Sequence, residues 1–188
     1  SITIEESRTM DTHVDIMEGF RFDSGYRAGA FVTDERRGTM NYSNPLIMVT
    51  DYKIDMVDDI LPVLELVARE SRPLIIIADD IEGQALSALI MNTMRGSLKV
   101  AAIKAPRYGQ ERRDMLADLS LSVGANLITR AKGMKLKETK LTDLGTAKTI
   151  EATKTHTTVV GGQADYEAIE VQIARLKEEI KNEESMQL

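Results

Sequence analysis

The sequence predicts an α/β fold, a parallel-sheet core flanked by helices with an added β-rich part and a C-terminal helix. Three observations carry this. Short apolar runs of strand length alternate with helix-length amphipathic segments through the middle of the chain. Strands separated by helices imply parallel pairing through right-handed crossovers. Beyond Gly133 the alternation gives way to β-rich runs and then to one charged helix.

Taken in order, residues 1–18 hold a short alternating stretch, Ile2-Thr3-Ile4-Glu5, and then polar sequence without helical periodicity, which reads as a tail or a piece of a neighbouring domain. Phe20 to Val49 carries β and turn signals: Gly25, Gly29 and Gly38 punctuate it, and Pro45 to Val49 is a buried-strand candidate. Asp55 is a plausible N-cap for a helix over Met56 to Glu70. Then follow a strand at Leu74–Ala78, a helix at Gly83–Arg95, a strand at Leu98–Lys104, a helix at Gln110–Val123 and a strand at Asn126–Thr129. Two β-rich runs, Thr146–Ala152 and His156–Val160, end at Gly161-Gly162. The last helix, Asp165 to about Glu184, places Ile169, Ile173, Leu176 and Ile180 in one apolar stripe.

Composition narrows the function. A length of 188 residues suits one well-buried domain with an appendage, and 43% hydrophobic with 29% charged residues are globular proportions, so the chain is expected to fold. A net charge of -6 gives no electrostatic support for nucleic-acid binding. The absence of cysteine removes disulfides, thiolate metal sites and cysteine nucleophiles. The longest apolar run, Leu74–Ala78, falls far short of the ~18 residues that span a bilayer, so a soluble protein without a membrane partner is expected. The opening, Ser1-Ile2-Thr3-Ile4, has no initiator Met or signal-peptide pattern and reads as the start of a piece of a longer polypeptide.

The first two helices of the α/β region have more apolar surface than a core needs. On the first, Ile60, Val63 and Val67 form a core stripe, and Leu61, Leu64 and Ala68 form a second stripe roughly 100° away. On the second, Ala85, Ala88 and Leu89 form one face while Leu86, Ile90 and Met91 lean toward another. Pattern alone allows both faces to be buried, or a hydrophobic groove open to solvent, the usual mark of a partner site. In the groove arrangement Leu64→Glu and Ile90→Glu leave folding intact, whereas Val63→Glu and Ile76→Glu unfold the domain. Pro62 either kinks the first helix or marks its start.

Other clusters carry less chemistry. Asp79-Asp80 and Lys104 stand at the ends of two strands, the arrangement of a phosphoryl- and Mg-binding receiver-like signalling domain, although strand-end turns and helix caps use the same residues. His13 and His156 have no partner at metal-ligand spacing, and Gly161-Gly162 lacks a phosphate-cradle context. No enzyme, metal or nucleotide site is visible, so no catalytic residue and no cofactor are expected in these residues.

Glu18-Gly19 with Phe22-Asp23-Ser24-Gly25-Tyr26, Pro73 through Gly83, Ala85-Leu86, Asn92 through Gly96, Lys99 through Pro106 and Asp143-Leu144-Gly145 occur in one order. That order resembles the apical, substrate-binding domain of GroEL-type group I chaperonins, without a gap from Ile2 to about Gly109 and more weakly after Met134. The resemblance implies a molecular chaperone domain at 19–188, a remnant of the intermediate domain at 1–18 and a hinge at Gly19. Its partners would be non-native polypeptides, a co-chaperonin mobile loop and sister subunits of a heptameric ring. ATP and Mg would serve the full-length parent through an equatorial domain not represented here. The compartment would be bacterial cytoplasm, mitochondrial matrix or plastid stroma. The binding groove would take Tyr26 and Phe31 from an extended segment, Leu61 and Leu64 from the first helix, and Leu86, Ile90, Met91 and Asn92 from the second. Three positions depart from the family: Ala30 where a second aromatic is usual, Ser24 where bacterial members carry Arg, and Arg107-Tyr108 in place of Gly-Phe.

Overall fold

The computed structural model describes residues 2–8, 14–161, 178 and 180–182. Its centre is a four-stranded sheet made from β4 (Leu46–Val49), β6 (Leu74–Ala78), β8 (Val100–Lys104) and β9 (Gly145–Thr146), in the order β8-β6-β4-β9. The first three strands run parallel and β9 runs antiparallel to β4. All four residues of β4 and all five of β6 are buried, as expected of strands covered on both faces.

Helix α1 (Val57–Ala68) connects β4 to β6, and α2 (Gly83–Arg95) connects β6 to β8. Both crossovers step across the sheet in the same direction. The right-handed rule therefore sets both helices on one face, where they touch each other. Helix α3 (Gly109–Val123) leads back to Ile128 beside β4, a step in the reverse direction, and so covers the opposite face against β4 and β9. Glycines end two of these helices: Gly96 and Gly124 both take φ of 72°, a left-handed cap that side chains disfavour.

A second sheet, in the order β1-β2-β11-β10-β3, is antiparallel throughout. It comprises β1 (Ile2–Arg8), β2 (Val14–Phe22), β3 (Met40–Ser43), β10 (Thr149–Ala152) and β11 (Thr157–Val160). A short parallel pair, β5 (Lys53–Ile54) with β7 (Asp80–Ile81), ties the entry of α1 to that of α2.

The structure revises several sequence expectations. Residues 1–18 do contain strands, since β1 pairs with β2 along Ile2↔Phe20 to Arg8↔Val14. Gly19 lies buried inside β2, paired to Thr3 on one side and Val160 on the other, so a hinge there would have to bend a strand held along both edges. The run 146–152 is two strands on different sheets, because the chain passes from β9 to β10 at Ala147-Lys148. The strand expected at Asn126–Thr129 is reduced to one parallel bridge, Thr50↔Ile128, since β9 already occupies the edge of β4 at Leu46 and Ile47. Asp55 does not cap α1: Met56 does, without a side-chain bond, and the Asp55 carbonyl instead accepts from the Ala85 N–H. Pro62 stands inside α1, leaving the Asp58 carbonyl without a helical donor at an exposed residue. Most of the helix expected over 165–184, with Ile169, Ile173 and Leu176, lies outside the described residues, as do His13 and Gly162. Ile180 is helical and exposed. No helix among the described residues is long and apolar enough to cross a membrane.

Gly25 is buried where the chain leaves β2, and a Cβ added there would meet the Thr153 carbonyl oxygen at 1.6 Å, whereas one added at Gly29 meets nothing within 4 Å. Gly25→Ala is therefore expected to destabilise by at least about 1–3 kcal/mol, and Gly29→Ala to stay within about 0.5 kcal/mol. Urea-denaturation midpoints of the two variants check this.

Candidate functional site

The apolar surface beyond the core lies on α1 and α2, and helical geometry decides which residues share it. Pro62 and Leu66 line a shallow hollow with Lys137, Glu138 and Thr139, so that flank of α1 looks away from α2. At about 100° per residue the opposite flank carries Leu61, Leu64 and Ala68, which face α2. On α2, Thr93 and Met94 border a cleft with Ala30 and Val32, and the same turn angle puts Leu86 and Ile90 on that side. The flank toward α1 is therefore Gln84, Ala88, Met91 and Arg95.

The groove between the helices has a floor and two rims. Leu64 is the floor, only 5% exposed, while Leu61 at 42% and Met91 at 48% are the rims. Ala68 is also exposed. The rims place aliphatic carbon and a flexible thioether in water, which a packed core does not require.

Of the residues expected from sequence, Leu61 and Leu64 on α1 and Met91 on α2 fall on the flanks that the two touching helices turn toward each other. Leu64 does not face solvent as its stripe implied; its position between the core stripe and Leu61 sinks it into the crevice. Leu86 and Ile90 are half-buried on the other flank. Phe31 is fully buried, part of a 3-10 turn at Gly29–Phe31, and so belongs to the core and not to an open groove. Tyr26 is half-buried, its backbone bridged to Ile103 and its hydroxyl donating to the Gly38 carbonyl at 3.1 Å. Asn92 is half-buried and donates back to the Ala88 carbonyl at 2.8 Å. Sequence reasoning missed Gln84, Ala88 and Arg95 as groove residues. Their spacing of four, three and four through Met91 was readable, but small and polar side chains give no apolar signal.

The strand-end acids are engaged by cations. Asp80 accepts from Arg27 Nε at 2.8 Å and from the Ile81 N–H at 2.8 Å, with Lys104 Nζ at 3.8 Å. Asp79 is held by Arg112, whose burial lowers its pKa from the usual guanidinium value. A divalent cation at these carboxylates would have to displace a guanidinium from each. Among the described residues no group of three or more acidic or histidine side chains is placed to hold a metal ion. His156 lies 3.5 Å from Asp23, at the surface.

The chain matches none of the known protein-family models.

Because Leu64 is buried and Leu61 is not, adjacent members of one stripe are expected to differ in mutation. Leu64→Ala should cost about 2–5 kcal/mol and Leu61→Ala no more than about 0.5 kcal/mol. Thermal or chemical denaturation of the pair measures the contrast; equal losses would place Leu61 in the core.

Proposed function

We propose that this domain binds exposed apolar segments of non-native polypeptides in the groove between α1 and α2, as a chaperone. The observation that carries the reading is the pair of exposed rims, Leu61 and Met91, above the Leu64 floor. Burying a Leu or Ile of a bound chain there is worth roughly 1.5–3 kcal/mol and makes no directional demand, so specificity is broad. Met91 can adapt its rotamer to differing partners. Gln84 and Arg95 stand on the groove flank of α2, near its two ends, where they can meet backbone or acidic groups of a bound segment. A segment can fill such a groove as a strand or as an amphipathic helix.

The sequence resemblance to GroEL-type apical domains supports the same reading and extends it. On that proposal the chain is the substrate-binding part of a ring-forming subunit, the co-chaperonin loop competes for the groove, and ATP and Mg act in a domain outside these residues. The paired Asp79 and Asp80 favour this over a phosphoryl-receiver role, because their charge is already met by Arg112, Arg27 and Lys104.

Leu61→Glu and Met91→Glu are each expected to weaken binding of a fluorescent apolar peptide by about ten- to a hundredfold, through one lost contact and one charge to be desolvated. Their denaturation midpoints should remain those of the parent chain, because both side chains are solvent-exposed. Unchanged peptide affinity in both variants would remove the groove from the function.

A further inference from the structure

The opposite flank of α2 borders a second concave surface. A cleft of about 760 Å³ lies there, walled by Met94 on α2, by Ala30 and Val32 after the Phe22 strand end, by Tyr42 and Ser43 of β3, and by Arg72 and Lys99. Met94 is 74% exposed, so this wall too sets apolar surface in water. Ala30 offers this wall only a methyl group.

Two features say what fits. Among the described residues the two charged side chains that line the cleft, Arg72 and Lys99, are both cations, in a chain of net charge -6. Arg72 spends Nε and Nη2 on neutral acceptors, the Asn44 carbonyl and side-chain oxygen and the Pro45 carbonyl, and Lys99 has no carboxylate partner among the described residues. The second feature is backbone. Among the described residues β3 is an end strand of its sheet, paired with β10. On its outer edge the Asn41 N–H is bonded to Thr33 Oγ1 at 2.8 Å. Two residues on, the alternation of the ladder turns the Ser43 N–H and C=O to the same edge, inside the cleft. Burial holds the Tyr42 pKa above the usual phenol value.

We propose that this cleft docks an extended, carboxylate-bearing polypeptide segment, added alongside β3 at Ser43 with its acidic side chains at Arg72 and Lys99 and its apolar side chains against Val32 and Met94. Strand addition supplies the main-chain bonds and the two cations select acidic residues. The kind of occupant rests on the chain-binding reading above, but the surface is a different one, so the two can fail separately.

The test uses two fluorescein-labelled ten-residue peptides, one alternating Val and Glu and the other alternating Val and Gln, titrated by anisotropy at low and high salt. The Glu peptide is expected to bind about three- to tenfold more tightly at low salt, with the difference shrinking as salt rises. Lys99→Glu should abolish or invert that preference, and Ala30→Trp, which fills the cleft, should weaken both peptides. Met91→Glu should leave the Glu-over-Gln preference in place. Equal affinities of the two peptides in the parent chain overturn the proposal, as does a preference that survives Lys99→Glu. Binding lost in Met91→Glu but kept in Ala30→Trp assigns the peptide to the helical groove and overturns the cleft while leaving the groove reading standing. Binding of neither peptide at millimolar concentration overturns the cleft.

Discussion

Leu74 to Ala78 is buried at every residue, and that constraint organises the rest of the molecule. A strand with apolar side chains on both faces needs cover on both, and β6 has a parallel neighbour on each edge. Two crossovers in one direction put α1 and α2 side by side on one face; the return through α3 closes the other. Successive strand gaps are only about 4.8 Å apart, less than the roughly 8–10 Å at which helices pack, so α1 and α2 are pressed into contact. Between two such helices the sheetward residues touch and those a little further round do not. Leu64 and Leu61 stand on either side of that limit, so the groove is a by-product of how the core must be covered.

The same sheet explains what the strand ends do. In open α/β folds the carboxyl ends of parallel strands are the usual place for ligand chemistry. Here that rim is closed with ion pairs. Arg27 reaches Asp80 from the segment after β2, Lys104 approaches the same carboxylate from the end of β8, and Arg112 joins α3 to Asp79. These contacts fasten the 26–31 segment and α3 to the end of β6. With the rim fastened, the open apolar surface is left on the helical face.

How far the sequence revealed this varied with the kind of signal. Periods set by burial were readable: the strand at Leu74–Ala78 and the helix at Gly83–Arg95 have the ends expected of them, the second because Gly96 supplies the left-handed cap. Pairing set by distant partners was not. Nothing local in 145–152 says that the first two residues join β4 and the last four join another sheet, and nothing in Gly19 says that it pairs on both edges. At the site, the apolar stripe on α1 was visible, but its depth depends on the neighbouring helix, which is why Leu64 and Leu61 separate only in the folded structure. Leu86 and Ile90 were grouped with Met91 as apolar neighbours in sequence, although the single step from Ile90 to Met91, about 100° of helix, turns the two to different sides of α2.

That last separation bears on how a domain of this kind would hold an unfolded chain. α2 is exposed along its outer ridge, with the groove on one side and the cleft on the other, and its body is about 10–12 Å across. An extended chain advances about 3.3 Å per residue, so three or four residues suffice to cross the ridge. Apolar contacts on one side and acid-reading contacts on the other would then act on the same chain at high effective concentration. Neither surface has to bind tightly for the pair to retain a chain, and release needs only that one contact be lost first. Weak, rapidly exchanging and tolerant contacts are what a binder of many sequences requires, whereas a single deep pocket would give affinity for a few.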